Sequence, residues 1–532
     1  MPFVDSNLPL VTVDTGGVPI PDDEKILAMM RVISDPLGGR SNLEATPNNF
    51  IGNVGIEIRG QSSVGYPKKQ YGFETRDALG SDIQVSLLGM PAEEDWILQG
   101  PYRDKIFIRN AFAYDLSNKM GRYAARTKFV EAFINETGAG EMPDHYVGVF
   151  VLMEKIKRDV NRVNVQKLSG DVEPAVSGGW ILKIDKGEDP FFTTAAGTRI
   201  LHVYPRGDTL TNAQKDWIRR YFDDFESALP KPNSEYSKYI DTSSFVDYFI
   251  INELMKNIDA YRISSYMHKD REARLKIGPV WDFDLSSTTV GRFGGSRPEG
   301  WVILEDFTDD AWKPPFWWGS LLNDENFVQL LIARWCALRK GILRVPTLFA
   351  TIDNWAALLN EAQARNYEKW IGVLSAPLGS EPVAHPTYTG EVQEFKTFLQ
   401  QRIDWIDENI YELLPESVAV GKPTFLRVHD PGTGYGPLGD SMDVEVVVKL
   451  DTDSQKSFGF ELRSDTNETR HRGMLDTLRD AFNRNQQVQL GYTVVGRTSN
   501  QIFRVVKVSC SETEEKYGAP TIERQTDSSA GT

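Results

Sequence analysis

Cysteine is almost absent. Two residues in 532, Cys336 and Cys510, rule out a disulfide framework and a cysteine-based zinc site. They read as two buried apolar residues or as one bridge across the chain. Histidine is nearly as scarce, with six residues scattered without metal-ligand spacing. No apolar run approaches the roughly 18 residues of a membrane span, so no membrane span is expected. Positive charge is in deficit: 59 Lys and Arg against 75 Asp and Glu leave a net charge of −16. That balance argues against a nucleic-acid partner, which asks for a basic footprint. It leaves room for a smaller anion, since a few local cations inside a cleft suffice.

What is present is ordinary globular chemistry, 40% hydrophobic and 25% charged. The length exceeds what one core usually serves, so two domains are expected. Residues 54–59, Val-Gly-Ile-Glu-Ile-Arg, carry a period-2 pattern, followed by a Gly/Ser turn at 60–65 and a returning strand at 70–76. Ile108, Phe112, Leu116 and Met120 then recur every four residues, and Gly121 stands where a helix C-cap would. Residues 147–153 and 180–184 read as buried strands. A helix is expected over 242–255, with Ser244 and Asp247 at capping-box spacing. Two short strands follow, at 262–268 and 274–280, then a helical region to about 414. Residues 415–423 look like a linker, 424–510 like a small β-rich module of β-β-α-β-β type, and 511–532 like a polar tail.

Three clusters can carry chemistry. Asn257-Ile258-Asp259, a hairpin, and Trp281-Asp282-Phe283-Asp284 bring carboxylates to one end of a sheet, where they repel unless a cation joins them. Mg²⁺ suits such hard oxygen ligands; the plainer reading is that each Asp caps a turn. Arg59-Gly60-Gln61-Ser62-Ser63 with Lys68 and Lys69 is a turn whose N–H groups and cations suit an anion, or a hairpin with a basic edge. Residues 149–155, Val-Phe-Val-Leu-Met-Glu-Lys, form an apolar strand that breaks into charge. Trp301, Trp312, Trp317 and Trp318 offer either a sugar platform or core filling.

Taken in order, these stretches resemble the CotH kinase family. The likeness also includes Tyr102-Arg103-Asp104-Lys105, Ile108-Arg109-Asn110 and Gly178-Gly179-Trp180, and it covers roughly residues 8–410. The resemblance implies an α+β, atypical protein-kinase-like two-lobed domain over 1–414. It implies transfer of the ATP γ-phosphoryl group, with Mg²⁺ or Mn²⁺, to Ser or Thr hydroxyls of a protein substrate. Asp259 would be catalytic. Asp282, Asp284 and Asn257 would hold the metal. Arg59, Ser62 and Lys69 would hold phosphates, and the segment around Glu154 would meet adenine. A bacterial surface, secreted or spore-coat setting is implied as well. The sequence departs from the family where Ala260 follows Asp259, and where 285–290 precede Gly291. It also lacks the Gly-X-Gly-X-X-Gly loop of ordinary kinases. Rival readings are a pseudokinase scaffold in coat assembly and a carbohydrate-binding or carbohydrate-active protein built on the tryptophans.

Overall fold

The alternating pattern of the first 154 residues closes into a barrel. Its strands are β1 (Leu10–Asp14), β2 (Ile26–Ile33), β3 (Phe50–Arg59), β4 (Gln70–Arg76), β5 (Asp95–Gln99), β6 (Thr127–Asn135) and β7 (Tyr146–Glu154), in the order β1-β2-β3-β4-β5-β7-β6. Neighbours are antiparallel except β6 and β1, which run parallel. A closed ring of seven strands needs one such pair, because an odd number cannot alternate throughout. Val11, Val13, Met30, Val54, Ile56, Phe73, Trp96, Leu98, Phe150 and Leu152 point inward as one core. Burial of each contributes about 1.5–3 kcal/mol, and a one-residue slip would turn the whole set outward. The sequence pattern showed hairpins here but not their closure.

The computed structural model describes residues 3–507 apart from 23, 36–37, 232–233, 379–383, 416, 431–433, 436–441, 464–466 and 496–498. Cys510 and the tail from 511 lie outside the described residues. The chain divides into two compact units, Met1–Ile410 and Tyr411–Thr532.

Within the first unit, α1 (Arg109–Lys119) links the barrel to the rest. The predicted stripe Ile108, Phe112, Leu116 and Met120 is buried, and so are Arg109 and Asn110 beside it. Gly121 ends the helix at φ +86°, the left-handed conformation a C-cap glycine supplies. A second, five-stranded sheet is built from β8 (Trp180–Ile184), β9 (Phe191–Thr193), β10 (Arg199–Tyr204), β11 (Ser265–Lys269) and β12 (Lys276–Ile277), in the order β12-β11-β8-β10-β9. Between its strands lie α2 (Asn212–Ala228) and α3 (Thr242–Leu254), and α4 (Trp317–Leu322), α5 (Glu325–Arg339), α6 (Val345–Lys369) and α7 (Tyr388–Asn409) follow. The cap of α3 is Asp241, whose carboxylate accepts from Ser244 N–H, so the expected box at Ser244 and Asp247 does not form. Asp247 instead pairs with Arg122 at 2.8 Å and Arg334 at 2.7 Å.

Trp317 and Trp318 are core residues. Trp317 Nε1 donates to Glu226 at 2.7 Å, and Trp318 meets Tyr261 edge-on at 4.6 Å between ring centroids. The sugar-platform reading loses these two rings, because no face of either is free.

In the second unit, the foreseen β-β-α-β-β succession is Val446–Leu450, Asp453–Phe460, the helix Glu468–Asn483, Val488–Val494 and Ser499–Lys507. Ser417–Gly421 and Pro423–Val428 add the two outer strands of a six-stranded sheet. The stretch read as a linker therefore carries a strand. Pro423 misled because it stands at the start of an edge strand, where no N–H is required.

Candidate functional site

The chain leaves α3 through Lys256, at φ +49°, and enters a loop that buries Asn257 and leaves Asp259 partly reachable. Asn257 binds both halves of the site. Its Oδ1 accepts from Asp259 N–H and its Nδ2 donates to the Asp282 carbonyl, both at 3.2 Å. With its amide so engaged, Asn257 is a brace, a role the expected ligand assignment did not include.

Asp282 has φ +66°. A non-glycine residue there costs on the order of 1–2 kcal/mol, and its surroundings fix it. Its N–H donates to Tyr114 Oη at 3.2 Å, and its Oδ2 accepts from Ser264 Oγ at 3.3 Å. The next N–H, of Phe283, donates to Asn110 Oδ1 at 2.6 Å. Tyr114 also stacks on Trp281, with centroids 5.7 Å apart. Thus α1 sets the 281–283 backbone on one side and the loop after α3 sets it on the other.

The electrostatics follow from crowding. The side chains of Asp282 and Asp284 are close enough for each to act on the titration of the other. Burial, and for Asp282 also the charge of Asp284, raise both carboxyls above their ordinary range, Asp282 far above it. Asp259 is pushed up to about 6 by burial and by Asp282, against the pull of Arg262, whose Nη2 lies 2.8 Å from it. Arg262 also pairs with Asp310 at 3.2 Å. Asp185, just beyond β8, adds its negative charge at Asp282. The three predicted carboxylates therefore share one field, with two in contact and Asp259 held by its own guanidinium. Among the described residues, the acidic trio whose ligand atoms all lie within 4.8 Å of one another is elsewhere, at Glu93, Glu94 and Asp95. There Lys157 already sits at 2.6–2.8 Å from all three.

The loop after Asp284 has no glycine before Gly291, yet Ser287 and Thr288 adopt φ +46° and +79°. Arg109 holds them: its guanidinium pairs with Asp104 at 2.6 Å and donates to Ser287 O and Thr288 Oγ1. A buried ion pair here does the work of a glycine.

The Gly/Ser turn comes to the same place. The Arg59 guanidinium lies 5.9 Å from the centre of the Trp281 ring. Gly60, at φ +108°, has Ser63 Oγ where a side chain would start, and Gln61 lies against Gly187, two residues past Asp185. Ser62 is exposed. Lys69 Nζ folds back on the turn and donates to Val64 O at 2.5 Å. Lys68 points the other way into the interior, donating to Val149 O at 2.5 Å and Asn366 Oδ1 at 2.9 Å. Burial lowers its ammonium far below the ordinary lysine range.

Glu154 is placed differently from expectation. It is fully buried, and its carboxylate accepts from Tyr123 Oη, Arg126 N–H and the Arg126 guanidinium. Both edges of β7 are paired through Met153, to β5 and to β6. At this position an adenine meets neither a free acceptor nor an open strand edge.

Asp104, Arg109, Asn110, Tyr114, Asp185 and Ser264 complete the site without having been assigned roles from sequence. Four stand in or near the 102–110 motif, so proximity to a motif was the available signal. Asp185 and Ser264 carried none.

The profile of the CotH kinase protein family matches residues 56–406. The match begins inside β3 and ends in α7, so it takes in the turn, α1 and every carboxylate above, and omits β1, β2 and the second unit. Among curated proteins none matches the chain.

Proposed function

The chain belongs to the CotH kinase family, and we propose that it transfers the γ-phosphoryl group of ATP to a Ser or Thr hydroxyl of a protein. The observation that carries this reading is the Asp282–Asp284 pair, two half-buried carboxylates in contact, with Asp259 in the same field. Such a pair is unfavourable when fully charged and suits a hard divalent cation. Asp282 and Asp284 would hold Mg²⁺ or Mn²⁺, and the ion supplies charge neutralisation to the phosphates.

The residues of the chain do the rest. Arg59, the N–H groups of the 60–65 turn with Ser62, and Lys69 bind phosphate oxygens and set them in line with the acceptor. Asp259, near neutral pH, accepts the hydroxyl proton as the new oxygen–phosphorus bond forms and ADP departs. Asn257 keeps the two loops in register, and Arg262 orients Asp259. In this proposal the barrel with α1 serves as the nucleotide-covering lobe, and the five-stranded sheet with α3 serves as the lobe that carries the carboxylates. The family points to a surface, secreted or coat setting. Among the described residues no helix is long and apolar enough to cross a membrane.

The test is incubation with γ-labelled ATP, Mg²⁺ or Mn²⁺ and a mixed lysate, scored for phosphoserine and phosphothreonine. Label appearing with the native chain and absent with Asp259→Asn supports the reading. Equal labelling by both defeats it.

A further inference from the structure

A cavity of about 340 Å³ lies behind the carboxylate segment. Its walls include Arg122, just past α1, Arg162 and Asn164, Asp247 of α3, and His268 and Lys276 of the second sheet. Gly278, Pro279 and Val280 close it, two to four residues ahead of Asp282. None of Arg59, Ser62, Lys69, Asp259, Asp282 and Asp284 lines it, so it is separate from the site described above.

The hydrogen-bonding capacity left over in this wall is mostly that of donors. Asp247, its carboxylate, already lies between Arg122 and Arg334. The Arg162 side chain is 1% exposed, and Nη1 donates to Asp95 O at 2.7 Å and Lys155 O at 3.0 Å. Glu93 at 3.3 Å and Glu154 at 3.8 Å balance its charge, yet Nε and Nη2 have no hydrogen-bond partner. Buried guanidinium protons without acceptors are costly, and a native protein normally supplies an acceptor for them. Half-buried Lys276 forms no ion pair among the described residues. His268 is kept neutral by burial, its Nδ1 engaged with Gly278 O at 3.1 Å. Complementing such a wall takes a ligand rich in acceptors, and the volume exceeds what a single water needs.

We propose that this cavity is a binding site for a small polyanion bearing phosphoryl or carboxylate groups, held by Arg162 and Lys276. Bound there, the ligand lies against the 278–280 backbone that leads into Asp282 and against the end of α1, which fixes Asp282 and Phe283 through Tyr114 and Asn110.

The full chain is titrated calorimetrically in metal-free buffer with pyrophosphate and, separately, with citrate. Binding of at least one is expected, weakened at least tenfold in Lys276→Gln and lost in Lys276→Glu. Pyrophosphate alone identifies a phosphoryl ligand, citrate alone a carboxylate-bearing one, and binding of both a site that reads the negative charge the two share. Asn164→Asp, at an exposed position on the rim, places a negative charge there and should weaken binding even if the Lys276 variants fold poorly. Failure of both anions to bind, or native affinity in Lys276→Glu or Asn164→Asp, overturns the proposal. No nucleotide enters the measurement, so its outcome is independent of phosphoryl transfer.

Discussion

Asn257 joins Asp259 to Asp282: one amide side chain accepts the N–H of the first and donates to the carbonyl of the second, each at 3.2 Å. Replacing it by Ala strands a half-buried N–H and a half-buried carbonyl, at up to about 1–3 kcal/mol each. Asn257→Ala should lower the melting temperature and reduce turnover by more than tenfold. Asn257→Asp can still accept from Asp259 N–H but cannot donate to Asp282, so it should not rescue turnover. Rescue by Asp would show that the brace to Asp282 is dispensable.

Asp282→Asn removes one member of a repelling pair. The apo protein should keep or gain stability, while stabilisation by Mg²⁺ with ATP and labelling of substrate should vanish. The paired readout is the apo melting curve and the Mg-ATP shift for the native and variant chains. A large apo destabilisation would make Asp282 a structural cap.

The raised carboxyl of Asp259 sets a pH dependence. Its folded value of about 6 stands above the ordinary 3.8, so between these values the folded state binds more protons than the unfolded. Stability from this group is therefore present at about pH 4 and is lost as pH rises through 6, by on the order of 3 kcal/mol. Denaturant unfolding of the apo chain at pH 4.5 and 6.5 should show a smaller fall in Asp259→Asn than in the native chain. Turnover should run the other way, rising through pH 6 as Asp259 gains its charge. An unchanged pH slope in Asp259→Asn would remove Asp259 as its source.

Two adjacent lysines should separate cleanly. Lys69→Ala takes a cation from the turn and should weaken ATP binding by about 1–3 kcal/mol with little effect on folding. Lys68→Ala leaves a hole against Phe107 and Phe150 and strands Val149 O, so it should cost stability, on the order of 2–5 kcal/mol. Lys68→Met, which keeps the stem, should cost less. Equal, small effects of Lys68→Ala and Lys69→Ala on both measurements would contradict this division.

A chain ending after Leu414 stops short of the strand Ser417–Gly421 and so omits the second sheet whole. It should remain folded and show the same Mg-ATP melting shift as the full chain. Insolubility of that shorter chain would mean that the first core needs the second unit.

Local chemistry settled much of this protein in advance. The period of 54–59 and the apolar run at 147–153 specified strands because alternation and burial act residue by residue. The four-residue spacing from Ile108 to Met120, closed by Gly121, specified a helix and its end. The order of the Asp-bearing motifs likewise placed Asp259, Asp282 and Asp284 at one end of a sheet, since two short strands must return near their start. The tertiary structure decided what local rules do not reach. Closure of seven strands depends on the pairing of β1 with β6, more than 100 residues apart in sequence. Whether a charged side chain faces a ligand or the interior depends on what packs over it. Lys68 and Lys69 are neighbours of one type with opposite fates, because Asn366 of α6 comes to lie over one of them. Glu154 reads like a strand end that could meet a ligand, until Arg126 and Tyr123 converge on it. Burial and long-range pairing belong to the whole chain, and no window of the sequence contains them.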